Sequence, residues 1–276
     1  ALLSTLLSAN AGAQSSDAKK GEFTVQRFEP APGSKNFLSV ETARMDGQMG
    51  WTVGLMFNYA HKPFVVVSCQ SETNCSEPNA INKQDVAVIS DMYWGDVMAS
   101  LSPISRLQIG LRVPLAYVNG DGIDLDSGGP VAGGLQKFGV GDINLEAKFR
   151  LLGEPKDPYV LALGGDVSAP VGGYAFEGAY IGNQSPVTGA LRLIFDGEYQ
   201  DKLSFGLNLR GVIREEASLA TTTVGPVDFR YGAGVGYKFT PILRVLAEGY
   251  GSTQFTAKNG TNTLEVDGAV QISPLD

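Results

Sequence analysis

The chain holds one histidine, two cysteines and two tryptophans in 276 residues, and only 18% of those residues are charged. With no Cys/His cluster among so few imidazoles and thiols, no zinc or other metal site is expected. A run of roughly 20 apolar residues, the length that carries a helix across a bilayer, occurs nowhere, which excludes helical transporters and channels. Basic residues are the minority charge: 21 Lys and Arg against 29 Asp and Glu leave a net charge of -8. Nucleic-acid phosphates demand a basic surface, so no nucleic-acid partner is expected. P-loops, dinucleotide fingerprints and nucleophile elbows are also missing, and the expectation is a protein that is not an enzyme and carries no cofactor.

Glycine is what the chain has in quantity: 35 of them, alongside 10 tyrosines and a 43% hydrophobic content. An average soluble domain carries about 25% charged residues and about 7% Gly, so this chain is charge-poor and glycine-rich without being low in complexity. Its mean hydropathy is zero. The length suits one large domain or two ordinary ones.

The N-terminus bears on the compartment. Ala1 to Ser8 is a short, mostly apolar run leading into Ala9-Asn10-Ala11-Gly12-Ala13, where small residues stand at a spacing that a signal peptidase accepts. Residues 1–13 read as a signal-peptide remnant whose basic start is missing, the alternative being an apolar mature N-terminus; residues 14–21 then form a mature tail. Export makes sense of Cys69 and Cys75, which bracket a short polar stretch. In an oxidising compartment such a pair is expected to close a small loop disulfide, with free thiols as the alternative.

From residue 22 onward one pattern recurs. Phe229, Tyr231, Ala233, Val235, Tyr237 and Phe239 alternate with Arg230, Gly232, Gly234, Gly236 and Lys238, a period of two. Leu203 to Arg214 and Asp142 to Leu151 follow the same rule, as do Trp51 to Tyr59, Leu107 to Tyr117, Tyr159 to Ala169, Leu191 to Tyr199, Leu243 to Phe255 and Leu264 to Ile272. Strands of about 10 to 14 residues exceed the globular mode of about 5 to 6 and match what crosses a bilayer at a tilt.

Connections alternate in kind. Short turns are expected at Asp46 to Met49, Ser102 to Ser105, Gly153 to Asp157, Gln200-Asp201, Thr240-Pro241 and Ser273-Pro274. Longer ones fall at Ser68 to Lys83, Asn119 to Gln136, Val171 to Pro186, Glu215 to Pro226 and Thr256 to Thr261. Strict alternation of this kind marks a transmembrane, antiparallel up-and-down β-barrel with tight periplasmic turns and longer extracellular loops. Taking Glu22 to Phe28 as its first strand, the barrel spans residues 22–276 with about twelve strands, or twelve to fourteen if intact, the chain being read as truncated at its C-terminal end.

The two faces settle the orientation. Mixed charges recur on the polar face of strand after strand, and Arg or Lys facing lipid would cost about 2 to 4 kcal/mol each at the bilayer midplane. The apolar face is therefore expected to look outward and the polar face into a lumen. Candidate lumen-lining residues are Arg112, Asp142, Glu146, Lys148, Arg150, Arg192, Asp196, Arg210, Arg230, Lys238, Arg244 and Glu248. Aromatics at strand ends, among them Trp51, Tyr59, Tyr117, Tyr159, Tyr199, Phe239 and Phe255, fit interfacial girdles.

Phe23-Thr24-Val25-Gln26-Arg27-Phe28-Glu29-Pro30-Ala31-Pro32-Gly33, followed by Phe37-Leu38-Ser39-Val40-Glu41, resembles the start of the barrel in a group of OmpA-like outer-membrane proteins. That resemblance implies a barrel anchoring the cell envelope, followed in the family by calcium-binding repeats and a peptidoglycan-binding domain, neither of which this chain contains. Gly141-Asp142-Ile143-Asn144-Leu145-Glu146-Ala147-Lys148-Phe149-Arg150 resembles a strand motif of outer-membrane channels associated with aromatic-compound degradation.

Other polar residues suggest little chemistry. Continuing the phase of Trp51 to Tyr59 places His61 on the outer face, an interfacial position rather than a catalytic one. Asp121, Asp124 and Asp126 sit in one glycine-rich loop and could hold a calcium ion, but they lack the EF-hand order and its closing Glu; a solvated turn cluster is the default. The expected partners are outer-membrane lipid and lipopolysaccharide, with peptidoglycan reached only through a domain absent from this chain. The expected function is an OmpA-like envelope anchor that also forms a small-solute pore, the alternative a channel for hydrophobic or aromatic small molecules.

Overall fold

The computed structural model describes residues 22–68, 84–123, 130–184, 187–219, 222–254 and 262–272. The leader remnant, the tail at 14–21, Cys69, Cys75, Asp124, Asp126, Phe255 and the turn at Ser273-Pro274 lie outside them.

Alternation makes most of the strands. The elements are β1 (Gly50–Ser68), β2 (Gln84–Ile104), β3 (Leu107–Gly120), β4 (Leu135–Val140), β5 (Ile143–Leu152), β6 (Tyr159–Ala169), α1 (Val171–Ala175), β7 (Thr188–Tyr199), β8 (Leu203–Ile213), β9 (Ala217–Leu219), β10 (Thr222–Val224), β11 (Val227–Lys238), β12 (Leu243–Thr253) and β13 (Thr263–Ile272). The sheet is eleven-stranded, ordered β1-β2-β3-β5-β6-β7-β8-β11-β12-β13 with β4 also on β3, and β9 and β10 form a separate hairpin. All pairs are antiparallel. The single one-turn helix leaves no helix among the described residues long and apolar enough to cross a membrane.

Two expected boundaries shift. Ser102 and Pro103 belong to β2, and the reversal falls at Ser105 and Arg106. The strand after β3 is interrupted: β4 pairs with residues 115–120 of β3 and β5 with 107–112, leaving Gly141 and Asp142 between them. Opposite that break stands Pro114, which has no N–H to offer a ladder. β2 lacks a clean apolar alternation of its own and takes its place from its neighbours on both sides.

Burial is inverted relative to a water-soluble sheet. Along β5 the buried positions are Asn144, Glu146, Lys148 and Arg150, while Leu145, Phe149, Leu151 and Leu152 are exposed. The same holds on β3, where Gln108 and Arg112 are buried and Ile109 and Leu111 exposed. Exposed Leu, Val, Ile and Phe side chains run continuously across the outer face from β1 to β13, far beyond the few hundred Å² of apolar patch normal on a soluble monomer.

The expected twelve-stranded barrel differs from the observed sheet in two respects. Residues 22–49 contribute no strand. They pass through the concave side of the sheet, from the long-connection end at Glu22 to the short-turn end at Asp46. Prolines 30 and 32 remove ladder donors there, and Val40 to Met45 are buried at six consecutive positions, a pattern of enclosure on all sides that no strand of a one-layer sheet shows. The sheet curls around this segment as a half-barrel, and no hydrogen-bonded pair joins β1 to β13 among the described residues.

Buried apolar residues form three clusters, and each contains part of the segment: Phe23 with Val86, Ile89, Trp94 and Tyr180; Ala43 with Val160, Ala162 and Ile194; Phe37 and Val40 with Leu246. Inner-face glycines make the room. A Cβ on Gly206 would stand 3.0 Å from the Phe37 ring and one on Gly234 3.1 Å from it. Gly234→Val is therefore expected to lower stability by about 1 to 3 kcal/mol through overpacking. Gly211→Val, whose Cβ meets nothing within 4 Å, is expected to change it by less than about 0.5 kcal/mol. Thermal denaturation in detergent compares the two.

Candidate functional site in the interior of the curled sheet

Facing strands place charged side chains at alternate positions, and the inner segment brings the counter-charges. Glu29 is the centre of one group: its Oε2 lies 2.6 Å from Arg210 Nη1 and 3.6 Å from Arg112 Nη2, and its Oε1 2.7 Å from Arg230 Nη1. Arg210 also reaches Asp166 at 2.6 Å, and Arg112 reaches Asp96 at 3.5 Å.

Glu41 is the centre of the second. Completely buried, it pairs with Arg192 and lies 3.6 Å from Lys148 Nζ. Arg192 continues to Glu146 at 3.3 Å and Asp166 at 3.4 Å. Lys148 also donates to Thr42 O at 2.8 Å, and Asn208 accepts from Glu41 N at 2.7 Å and donates to Glu41 O at 2.8 Å. Nearer the short turns, Arg44 of the segment reaches Asp196 at 2.7 Å. Glu248 accepts from the amides of Leu38, Ser39 and Val40 and from the Ser39 hydroxyl at 2.6 Å.

At the opposite end Glu22 accepts from the amides of Gly178 and Tyr180. Burial raises its carboxyl above the ordinary range against those donors. Burial, and then the Glu22 charge, push the Tyr180 phenol up to about 12.

The expected lumen residues thus sit in different surroundings. Arg112, Glu146, Lys148, Arg192, Asp196, Arg210, Arg230 and Glu248 face the inner segment or its ion network. Arg244 lies with its guanidinium 4.7 Å from the Phe37 ring centre and donates to Ser204 Oγ at 2.8 Å. Arg150 is buried at the turn end beside Glu154, 3.0 Å away. Asp142 occupies the break between β4 and β5, where it accepts from the amides of Gly172 and Asn183 at 3.1 and 2.8 Å and so pins the connection carrying α1. Lys238 is exposed at its strand end.

Asp121 accepts from the Ala87 amide at 3.2 Å, and no group of three metal-ligating side chains occurs among the described residues. His61 is exposed on the outer face, 3.1 Å from Asp91, which also receives the Tyr59 hydroxyl at 2.6 Å. Sequence reasoning missed Glu29, Glu41, Arg44, Asp96 and Asp166. Strand phase marks Asp166, which stands two residues beyond Gly164 on the inner side of β6; the segment's own acids follow no period.

Above the network, toward the long connections, the segment leaves a cavity of about 620 Å³. That falls within the roughly 300 to 1,000 Å³ of small-molecule sites. One side is the arginine and carboxylate network, and the other is Phe23, Val25, Phe64, Val65, Tyr231 and Tyr250.

A family model described as the MetA-pathway of phenol degradation matches residues 110–272, from within β3 to the last residue of β13. The chain belongs to this family. No curated protein matches it significantly. The phenol-degradation match begins beyond Phe23 to Glu41, the stretch on which the OmpA-like resemblance rested, and that resemblance finds no support. Those residues form the inner segment rather than the opening strand the OmpA-like reading required.

Removing one member of a buried pair strands the others. Glu41→Ala is expected to destabilise the protein by about 3 to 5 kcal/mol, because Lys148 and Arg192 stay buried without it. Glu154→Ala, which removes the exposed pair with Arg106 but also the contact to buried Arg150, is expected to cost less than Glu41→Ala. Denaturation midpoints of the two variants in the same detergent measure the difference.

Proposed function

We propose that this protein is an outer-membrane channel for small hydrophobic or aromatic molecules, which it moves without chemical change. The observation that carries the reading is the 620 Å³ cavity with one apolar wall, inside a sheet whose outward face is apolar. A lipid solvent leaves no partner for exposed backbone, so spanning sheets must pair their strands and turn apolar side chains outward. Tyr59, Tyr93 and Tyr117 stand side by side across β1 to β3, Tyr117 near the long-connection end of its strand, with ring centres 5.1 and 6.1 Å apart. Tyr159, Phe195 and Phe205 cluster near the short turns. Two such belts suit the two membrane interfaces, where the outer face would meet lipid and lipopolysaccharide. Membership of the phenol-degradation family favours a route for aromatic compounds over an envelope anchor.

Vesicles with a lipopolysaccharide outer leaflet provide the test. Reconstituted protein is expected to speed toluene uptake severalfold over protein-free vesicles. Uptake equal to the protein-free rate, or a protein that remains a soluble monomer without detergent, would overturn the reading.

A further inference from the structure

Glu29 and Glu41 differ from the other buried carboxylates of the network in coming from the inner segment, and Glu29 is the more open of the two. Asp96, Glu146 and Asp166 are built into strands. Glu29 lies on a stretch with no ladder, where the backbone bonds flanking it are Val25 N to Tyr180 O and Ala31 N to Leu38 O. Its side chain and that of Arg230 are also the more open members of the network, 24% and 25% exposed, and with Arg112 and Arg210 they form the cavity's polar side. Beside them Arg192, Arg210 and Arg214 each keep a buried Nε with no hydrogen-bond partner.

Three guanidinium groups fixed on three strands therefore hold a single carboxylate supplied by a segment that the sheet does not hold in register. A neutral ligand that displaced Glu29 would leave Arg230 without its counter-charge and Arg112 and Arg210 with only Asp96 and Asp166, which is costly for buried charge. A ligand carboxylate would replace one anion by another and leave the network's charge unchanged, and paired guanidinium groups match carboxylate geometry.

We propose that Arg112, Arg210 and Arg230 form a carboxylate subsite for small monocarboxylic acids with an aromatic or aliphatic body, occupied in the resting protein by Glu29. The body of the acid lies against Phe64, Tyr231 and Tyr250, its carboxylate takes the place of Glu29, and the exchange loosens residues 22–31. The inference rests on the channel reading and adds small carboxylic acids to the molecules that the cavity takes.

The full chain in detergent, titrated with benzoate and separately with benzyl alcohol by calorimetry, tests it. Wild-type protein is expected to bind benzoate more tightly than the alcohol. Glu29→Gln, which removes the internal competitor and keeps the shape, should tighten benzoate about tenfold, and Arg230→Gln should weaken it about tenfold. Both should leave the alcohol within about twofold. Benzoate should also speed tryptic cleavage at the exposed Arg27.

Equal affinity for acid and alcohol, or benzoate binding indifferent to Arg230→Gln, would overturn the subsite, and both measurements decide it even where Glu29→Gln fails to fold. If toluene still enters vesicles under those outcomes, the channel reading stands and the subsite alone falls. If neither toluene uptake nor binding of either compound occurs, the channel reading falls with it.

Discussion

Charge pairing between the inner segment and the concave face of the sheet is the interaction on which this structure depends. A sheet that turns its polar face inward faces a difficulty that soluble proteins avoid: lysine, arginine and carboxylate side chains from neighbouring strands converge in a space with little water. Isolated there, each charge would be strongly disfavoured. Glu29, Glu41 and Arg44 supply opposite charges at three heights, and Glu248 on β12 answers three amides of the segment in return. The three apolar clusters repeat the arrangement, since each closes around residues of the segment. The strands make the wall, and the segment makes the interior.

Glycine takes its meaning from the same constraint. Side chains of the segment approach the sheet to contact distance at Gly206, Gly232 and Gly234, so β8 and β11 read as glycine-rich where Phe37 and Val40 press against them. The composition that sets this chain apart from soluble domains thus records packing against an inner chain as well as turns.

Where the segment is thin, space remains. Between the Glu29 group and the long connections it leaves a chamber with one charged and one apolar side, in which a molecule with a polar end and an apolar body finds partners for both. A single arrangement thereby stabilises the fold and shapes the site: the ion pairs that hold the segment are the polar wall that a ligand would meet.

Much of the wall was legible from alternation alone. Tyr159 to Ala169 matches β6 to the residue, the short and long connections between the described strands fall in the expected order, and the inner phase of Arg112, Glu146, Lys148, Arg192 and Arg210 follows from strand parity, because side chains of a strand alternate between faces whatever lies beyond them. The interruption at Gly141 and Asp142 was not legible, since it arises from Pro114 on the neighbouring strand. Nor was the role of residues 22–49. Glu22 to Phe28 has the look of a short strand, and neither Glu29 nor Glu41 has a period to announce it. Local pattern determined most of the strands, with their faces and order. Only the tertiary structure decided that the first segment lies inside rather than in the wall, because its conformation is set by charges on distant strands, from Arg112 to Glu248.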